Sequence, residues 1–386
     1  MDGNNQHTQQ PVPDLNGIVS VTTKAEKKEF LKFPYEHYKD DTFWVPPLYS
    51  EQKKLLNPKK NAFFNHGNVA LFMAKKNGEW AGRIAAIEDR RFNEHHGTNI
   101  GFFGFFDSIH DPYIANLLIR VARDWLLERG YEKMMGPTNP SMMDELGFLV
   151  EGFDYYPSLM MPYTKPYYDE LMQECGFGKS MDLLAYRVNQ KSVARDRMER
   201  AGSMIRRKLP GLTIRKINMK DLRNEVQVIR DIYNKAWSRN WGFLPMTEKE
   251  FDDLASHLKM IVDPEVVFIA EMEGSPIAFS ISLPDLNQVF RSMDGTLFPT
   301  GIFKLLLKRK KINALRTLLM GVLPEYQGKG VEALLNQETI TKGSANGYFS
   351  SEMSWILESN TQMIRVAERL GGFKEKRYRL YEKPIP

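Results

Sequence analysis

Residues 322–331 read Val-Leu-Pro-Glu-Tyr-Gln-Gly-Lys-Gly-Val and lie between an apolar run and an amphipathic one. The apolar run, residues 315–323, predicts a strand, and residues 331–342 repeat apolar side chains at helical spacing. The start of a helix presents unpaired backbone N–H groups and a partial positive charge. Glycines let the backbone approach an anion closely, and Lys329 adds positive charge beside them. The segment therefore predicts a phosphate-binding loop between a strand and a helix.

The segments around this loop predict one α/β unit. Apolar runs of strand type are separated by turn residues such as Glu273-Gly274, and helical stripes alternate with them. The predicted order is a strand at 212–215, a helix at 222–237, a hairpin at 266–283, a strand at 315–323, a helix at 331–342, a strand at 350–356, a helix at 360–370 and a closing strand at 378–381.

The first half of the chain predicts a similar series. A hairpin turns at Asn77-Gly78, and Asp111 caps a helix whose first residue is Pro112. Residues 171–177 and 367–373 are alike, because each is a helix end, a glycine and a phenylalanine ahead of a strand. These matches indicate an internal duplication with a period near half the chain. The alternative is two unrelated α/β domains.

The order of elements and the loop together resemble the GNAT superfamily of N-acyltransferases. In that family a strand leads into Gln/Arg-x-x-Gly-x-Gly/Ala at a helix start, and the loop binds the phosphates of coenzyme A (CoA). The resemblance implies acetyl-CoA or a longer acyl-CoA as co-substrate. In the family an Asn at the start of the next helix often touches the pantetheine arm. Asn360 stands at that position, although a role as helix N-cap explains it almost as well. The cofactor contacts so assigned are Val322, Leu323, Gln327, Gly328, Lys329, Gly330, Val331 and Asn360.

Two positions depart from the family's pattern. Glu332 stands where the family usually has Gly or Ala, and its carboxylate would repel a pyrophosphate unless it points away. Ala367 stands where the family often has a Tyr that protonates the leaving thiolate. Another group or water would then have to supply that proton.

The resemblance covers nearly the whole chain and predicts two GNAT-like domains, each a mixed, mainly antiparallel sheet flanked by helices. Residues 43–48 and 234–243 are similar to stretches of bacterial tandem GNAT-like proteins. In the first half, Asp107 and Asp111 stand where phosphate would sit and would repel it. The predicted parts are a disordered tail at 1–17, a GNAT-like domain without a cofactor loop at 18–190, and an acyl-CoA-binding GNAT domain at 191–386.

The resemblance also places the acceptor site after the helix at 222–237, where the sequence is aromatic. The substrate contacts so assigned are Asn240, Trp241, Phe243 and Asn287. An aromatic anchor packed on the core is an equally good explanation of the aromatic residues. Asp285 would face the same cleft and could take a proton from an attacking amine, and Glu352 is a second candidate base. For either acid, an ordinary surface role is the simpler alternative.

Composition and charge limit the class of partner. The net charge of +5 over 386 residues suits an anionic ligand and does not require nucleic acid. Cys175 is the only cysteine, so an internal disulfide and a cysteine-based zinc site are excluded, and we expect no metal. The N-terminus lacks the basic start and apolar run of a secretion signal, so we expect a cytoplasmic protein.

A basic run at residues 308–311 follows three leucines. It predicts a solvated loop or helix end. The alternative is a small patch that faces an anionic membrane, which would suit a lipid substrate.

These observations predict transfer of an acyl group from a CoA thioester to an amine by direct attack. A backbone N–H of the strand before Pro324 would polarise the thioester carbonyl, and a buried acid or water would deprotonate the amine. The alternative is a non-catalytic GNAT-like protein that binds CoA or another ligand, which Glu332 and Ala367 favour. The acceptor remains open among a small amine, a protein amine, an aminoacyl group and a lipid long-chain base.

Overall fold

The computed structural model describes residues 17–297 and 300–386. Apart from Gly17, the predicted tail at residues 1–17 lies outside the described residues. The first half contains β1 (Ile18–Ser20), α1 (Lys24–His37), α2 (Tyr49–Leu55), β2 (Gly67–Lys76), β3 (Glu79–Asp89), α3 (Arg90–His96), β4 (Ile100–Ser108), α4 (Pro112–Leu127), β5 (Lys133–Gly136), β6 (Thr138–Asn139), β7 (Glu145–Leu146), β8 (Phe148–Glu151), α5 (Tyr168–Glu174) and β9 (Gly178–Asn189).

The second half repeats the pattern with insertions. It contains α6 (Arg195–Lys208), β10 (Leu212–Lys216), α7 (Leu222–Ala236), α8 (Glu248–Leu258), β11 (Val267–Met272), β12 (Ser275–Pro284), α9 (Asn287–Phe290), α10 (Thr300–Lys308), β13 (Ala314–Val322), α11 (Val331–Ala345), β14 (Ser350–Leu357), α12 (Thr361–Arg369) and β15 (Phe373–Pro384). The predicted fold class, α/β with mixed, mainly antiparallel sheets, is confirmed.

Thirteen strands form one continuous sheet in the order β1-β2-β3-β4-β5-β15-β9-β14-β13-β12-β11-β10, with β8 added to β15, and β6 and β7 form a separate two-stranded sheet. The two halves exchange their last strands. β15 pairs with β5 and β8 of the first half, while β9 pairs with β14 of the second. The predicted boundary at residue 190 divides the sequence into two halves, but it does not divide the sheet into two. A cut there would separate β9 and β15 from the strands of the other half with which they pair.

Each half contains one pair of parallel strands that is in register over only a few residues. β4 and β5 are in register only from Ile100 to Phe102. β13 and β14 are in register only from Ala314 to Thr317. A helix follows the first strand of each pair: α4 after β4, and α11 after β13. This correspondence supports the interpretation that the chain is a duplication.

The first half uses its two loop acids internally. Asp107 is buried and accepts hydrogen bonds from Arg83 Nε at 2.7 Å and from the Tyr38 hydroxyl at 2.7 Å. Asp111 caps α4, as predicted, by accepting from the backbone N–H groups of Tyr113 and Ile114. Pro112 has no N–H to offer. The start of α4 is therefore occupied by the protein's own groups.

Candidate donor and acceptor sites

The loop between β13 and α11 turns on two glycines with positive φ. Gly328 has φ +73° and Gly330, the N-cap of α11, has φ +92°. A Cβ at Gly330 would lie 2.7 Å from the Ile205 side chain of α6, so only glycine fits there without rearrangement. Lys329 extends over the Tyr326 ring, 5.3 Å from its centroid. The predicted strand–loop–helix arrangement is therefore present.

Beyond Thr317 the edge of β13 that faces β14 is open, because the parallel register ends there. The Met320 carbonyl on this stretch accepts the Trp237 indole N–H at 2.9 Å, and the Val322 carbonyl accepts Gln327 Nε2 at 3.0 Å. The N–H and C=O of one strand residue point to the same edge. The Leu323 N–H, in contrast, is already bonded to the Ile277 carbonyl at 2.9 Å.

A cleft of about 580 Å³ lies between α6, the start of α11 and α12. Besides Gly328 and Gly330, it is lined by three arginines: Arg197 of α6, and Arg365 and Arg369 of α12. Within the described part of the chain, none of the three forms an ion pair with a carboxylate. Unpaired guanidinium groups beside a phosphate-type loop suit a ligand with several phosphates. The sequence analysis missed these three residues.

Glu332 points into the loop rather than away from it. The nearby backbone N–H groups of Gly328 and of Glu332 itself favour its ionised form. Gln362 Nε2 donates to the carboxylate at 3.0 Å. Burial raises the pKa of this carboxyl, although the backbone N–H groups oppose the shift. The protein's own carboxylate thus lies among N–H groups that a bound pyrophosphate would need.

Asn360 caps α12, because its side chain accepts the Met363 N–H at 3.1 Å. Ala367 is fully buried and packs with Met353 of β14. The N-cap role accounts for Asn360, and its pantetheine contact stays a prediction.

The aromatic segment after α7 connects the two halves. Phe243 is buried against Tyr233, with ring centroids 5.6 Å apart, and its carbonyl accepts from His96 Nε2 at 2.8 Å. Trp241 packs on the core of the first half. Asn240 and Phe243 close a tight turn through a backbone hydrogen bond of 3.2 Å. Core anchoring therefore accounts for Phe243, while substrate contacts of Asn240 and Trp241 stay predictions.

Glu352 is completely buried at the centre of the exchanged strands. It accepts from Lys376 Nζ at 2.9 Å and from Arg187 Nη2 at 3.1 Å, and the hydroxyls of Ser158 and Ser354 lie 2.9 Å away. Burial alone would raise its pKa, but the two cations outweigh burial and hold the pKa well below its usual range. A carboxylate so stabilised is a weak base.

Asp285 is buried at the end of β12 and binds a segment of the first half. Its carboxylate accepts the Leu159 N–H at 2.8 Å and the Asn287 N–H at 3.3 Å. Burial and the nearby charge of Glu352 raise the pKa of Asp285 to about 6. Asn287 Nδ2 donates to the Pro157 carbonyl at 2.9 Å. The structure thus brings both predicted acids and Asn287 to one contact between the halves.

A further acid, Asp144, was missed by the sequence analysis. It lies between β6 and β7, remains partly accessible, and accepts the Ser141 hydroxyl at 2.7 Å. Burial raises its pKa to about 7. No periodic pattern distinguishes Asp144 from any other acid in a turn, so the sequence offers no signal for it.

The fold, the parallel strands that separate in the second half and the loop are those of the GNAT acyltransferases, and the chain belongs to one family with the two bacterial relatives that follow. No protein-family profile matches the chain. It is 38% identical over 377 residues to Protein YghO of Escherichia coli (strain K12), covering 96% of each chain. It is 36% identical over 376 residues to the bacterial ceramide synthase of Caulobacter vibrioides (strain NA1000 / CB15N), covering 95% of this chain and 97% of that one.

Among solved structures, the chain is similar to a tandem GNAT protein from the clavulanic acid biosynthesis pathway. The TM-score is 0.56 at 11% identity, over 96% of this chain and 99% of the other. This likeness confirms the predicted tandem GNAT fold. No helix within residues 17–297 and 300–386 is long and apolar enough to cross a bilayer.

Proposed function

We propose that this protein transfers an acyl group from a CoA thioester to the primary amine of a lipid long-chain base. One observation carries the acyl-transfer proposal: the open edge of β13 lies directly before a glycine loop at a helix start, beside a cleft with three unpaired arginines. The bound thioester would supply the activated acyl group.

The chain's own groups would position and polarise that thioester. The loop N–H groups, with Arg197, Arg365 and Arg369, are proposed to hold the phosphates. The Met320 N–H faces the open edge of β13, on the same side as the Met320 carbonyl. That carbonyl is held by the hydrogen bond from the Trp237 indole N–H. The Met320 N–H is therefore our candidate for the group that hydrogen-bonds the thioester carbonyl and stabilises negative charge on that oxygen.

The proton acceptor is proposed to be Asp285 rather than Glu352, because their pKa values shift in opposite directions. Asp285 lies beside Ala314, six residues along β13 from Met320, so the proton would reach it through bridging waters rather than by direct contact. A pKa near 6 leaves Asp285 mostly ionised and still basic at neutral pH. Glu352 is stabilised as a carboxylate by Lys376 and Arg187. Asp144, partly accessible and with a pKa of about 7, is the competing candidate.

The lipid acceptor is inferred from a relative's name. A ceramide synthase forms an amide on a long-chain base, and the ceramide synthase of Caulobacter vibrioides aligns with 95% of this chain. The same name favours a long acyl donor over acetyl-CoA.

The test is a panel of amines given to the purified protein with one long acyl-CoA. Water-soluble short amines, a lysine-containing peptide and a long-chain amino alcohol would be compared by mass spectrometry of the amide product. The proposal expects the long-chain base to give the highest kcat/KM by at least tenfold. Amide formed only on the short amine or the peptide would refute the lipid acceptor while leaving acyl transfer intact.

One observation favours a second candidate, a non-catalytic protein that binds CoA or another ligand. The Glu332 carboxylate already lies near the loop N–H groups, and Ala367 stands where a Tyr could act as an acid. CoA should raise the Tm under either proposal, because any ligand selective for the folded state does so. A Tm shift without amide formation on any amine would favour the binding protein.

A further inference from the structure

The helix α10 exposes apolar side chains on the face that points away from the protein. Phe303, Leu306 and Leu307 are 63%, 66% and 76% exposed. The opposite face, with Leu305, packs on the core of the second half. A helix on the surface of a soluble protein normally carries polar residues on its outer face. The outer face of α10 therefore needs another explanation.

A neighbouring residue enlarges this surface. The Met260 side chain is 73% exposed, and Arg309 Nη1 donates to the Met260 carbonyl at 3.2 Å, which places the end of α8 beside the end of α10. The apolar face thus consists of Met260, Phe303, Leu306 and Leu307. Scattered apolar residues are ordinary, whereas a contiguous set of large ones marks an interaction surface.

Positive charge borders the apolar face on one side. Residues 308–311 are Lys-Arg-Lys-Lys, and residues 300–311 contain no acid. Two lysines are held in place by Ser292: Lys304 Nζ donates to its carbonyl at 2.7 Å, and Lys308 Nζ to its hydroxyl at 3.1 Å. Large apolar residues beside a basic cluster are the pattern of a helix that lies in the interface of an anionic bilayer.

We propose that the apolar face and residues 308–311 dock this protein on an anionic membrane surface. A symmetric dimer through this face would bring two basic clusters together, and their repulsion disfavours a second copy as occupant. A bilayer supplies an apolar layer and a negative surface together.

The docking surface adjoins the element that follows Asp285, the proposed proton acceptor. α10 packs on α9, which begins two residues after Asp285. Delivery of a lipid amine from the bilayer to the acceptor site is proposed to occur on this side of the protein. This delivery role rests on the proposed function, whereas membrane binding itself does not.

The first experiment measures flotation of the full-length protein with vesicles of phosphatidylcholine, with and without phosphatidylglycerol. The wild type should bind the anionic vesicles and lose binding as salt is raised. The triple variant Phe303→Ser, Leu306→Ser, Leu307→Ser should bind at least tenfold more weakly. The control Tyr113→Ser, Leu127→Ser removes exposed apolar side chains of α4, 53% and 46% exposed, and should bind like the wild type.

A second variant tests the charges. Lys310→Gln with Lys311→Gln should weaken binding about fivefold per lysine at low salt. The proposal is overturned if the wild type does not bind anionic vesicles, or if the triple variant binds them as well as the wild type. A mass measurement that finds a wild-type dimer and a monomeric triple variant, without vesicle binding, would instead assign the face to a second copy.

An activity measurement separates docking from delivery. The triple variant should lose turnover of a long-chain amine embedded in vesicles and keep turnover of the same amine in detergent micelles. Vesicle binding without any turnover in the wild type would refute the proposed function and leave the docking surface intact. Equal loss in vesicles and micelles would refute the delivery role.

Discussion

Replacing Glu332 by Gln should tighten CoA binding, because the carboxylate lies among N–H groups that a pyrophosphate needs. It accepts from Gln362 Nε2 at 3.0 Å and lies near the Gly328 N–H. A phosphate on the same loop would come within about 6 Å, where two unit charges repel by about 3 kcal/mol at an effective dielectric constant of about 20. Rotation and protonation of the carboxyl reduce this penalty. We therefore expect a net gain of about 1.4 kcal/mol, or tenfold tighter binding.

The gain should depend on pH. Burial raises the pKa of Glu332, and a bound pyrophosphate would raise it further. Binding therefore favours the protonated carboxyl, so wild-type affinity should increase as the pH falls. Glu332→Gln mimics the protonated form and should remove this contribution to the pH dependence.

Isothermal titration of CoA between about pH 5.5 and about pH 8.5 measures both effects. Glu325→Gln is the matched control, because it removes the same charge from an exposed position in the same loop and should change affinity little. An unchanged or weaker affinity in Glu332→Gln at every pH would refute the assignment of the loop as the phosphate site.

Three further predictions concern the arginines, the buried acids and the contact between halves. Replacing Arg365 and Arg369 by Gln should weaken CoA binding at least fivefold. If these two side chains hold the 3′-phosphate, the binding of dephospho-CoA should weaken less, and titration of both ligands measures the difference. Asp285→Asn should lower kcat about 10²-fold and leave CoA affinity unchanged. Glu352→Gln leaves Lys376 and Arg187 without their shared carboxylate, so it should lower the free energy of unfolding in urea by about 3–5 kcal/mol. Normal turnover in Asp285→Asn and a large loss in Asp144→Asn would transfer the role of base to Asp144. Burial lowers the pKa of His66, but hydrogen bonds to Asp89 and Glu250 outweigh burial and raise it to about 9. The protonated His66 side chain should therefore stabilise the fold fully below about pH 6.5, and this stabilisation should disappear as the pH rises through about 9. Over that range the Tm of the wild type should fall more than the Tm of His66→Gln.

The local elements were predictable because their signals are local. The hairpin at Asn77-Gly78, the cap at Asp111 and the loop at Gly328 and Gly330 depend on residues within a few positions of each other, and each was found. The pattern of β15 was also found. The position of β15 in the sheet was not predicted, because a strand pattern carries no information on which half of the chain supplies the neighbouring strands.

The site itself was only partly predictable. Ile205 against Gly330, and Arg187 and Lys376 around Glu352, join residues that are far apart in sequence. The direction of the Glu332 side chain depends on Gln362 and on loop geometry that a motif does not encode. Residue types and spacing therefore identified the loop, whereas the protonation states of the acids required the packed structure.

The most direct test of acyl transfer is a paired measurement of products. Purified protein would be given acyl-CoA of two to sixteen carbons with a long-chain amine, and the thiol released and the amide formed would be quantified together. We expect equal amounts of both, with donor affinity that rises about threefold to fourfold per added carbon until the acyl site is full. Thiol release without amide, or no product with any donor, would refute acyl transfer to the amine. Donor affinities that stay flat or fall with chain length would favour acetyl transfer over long-chain transfer.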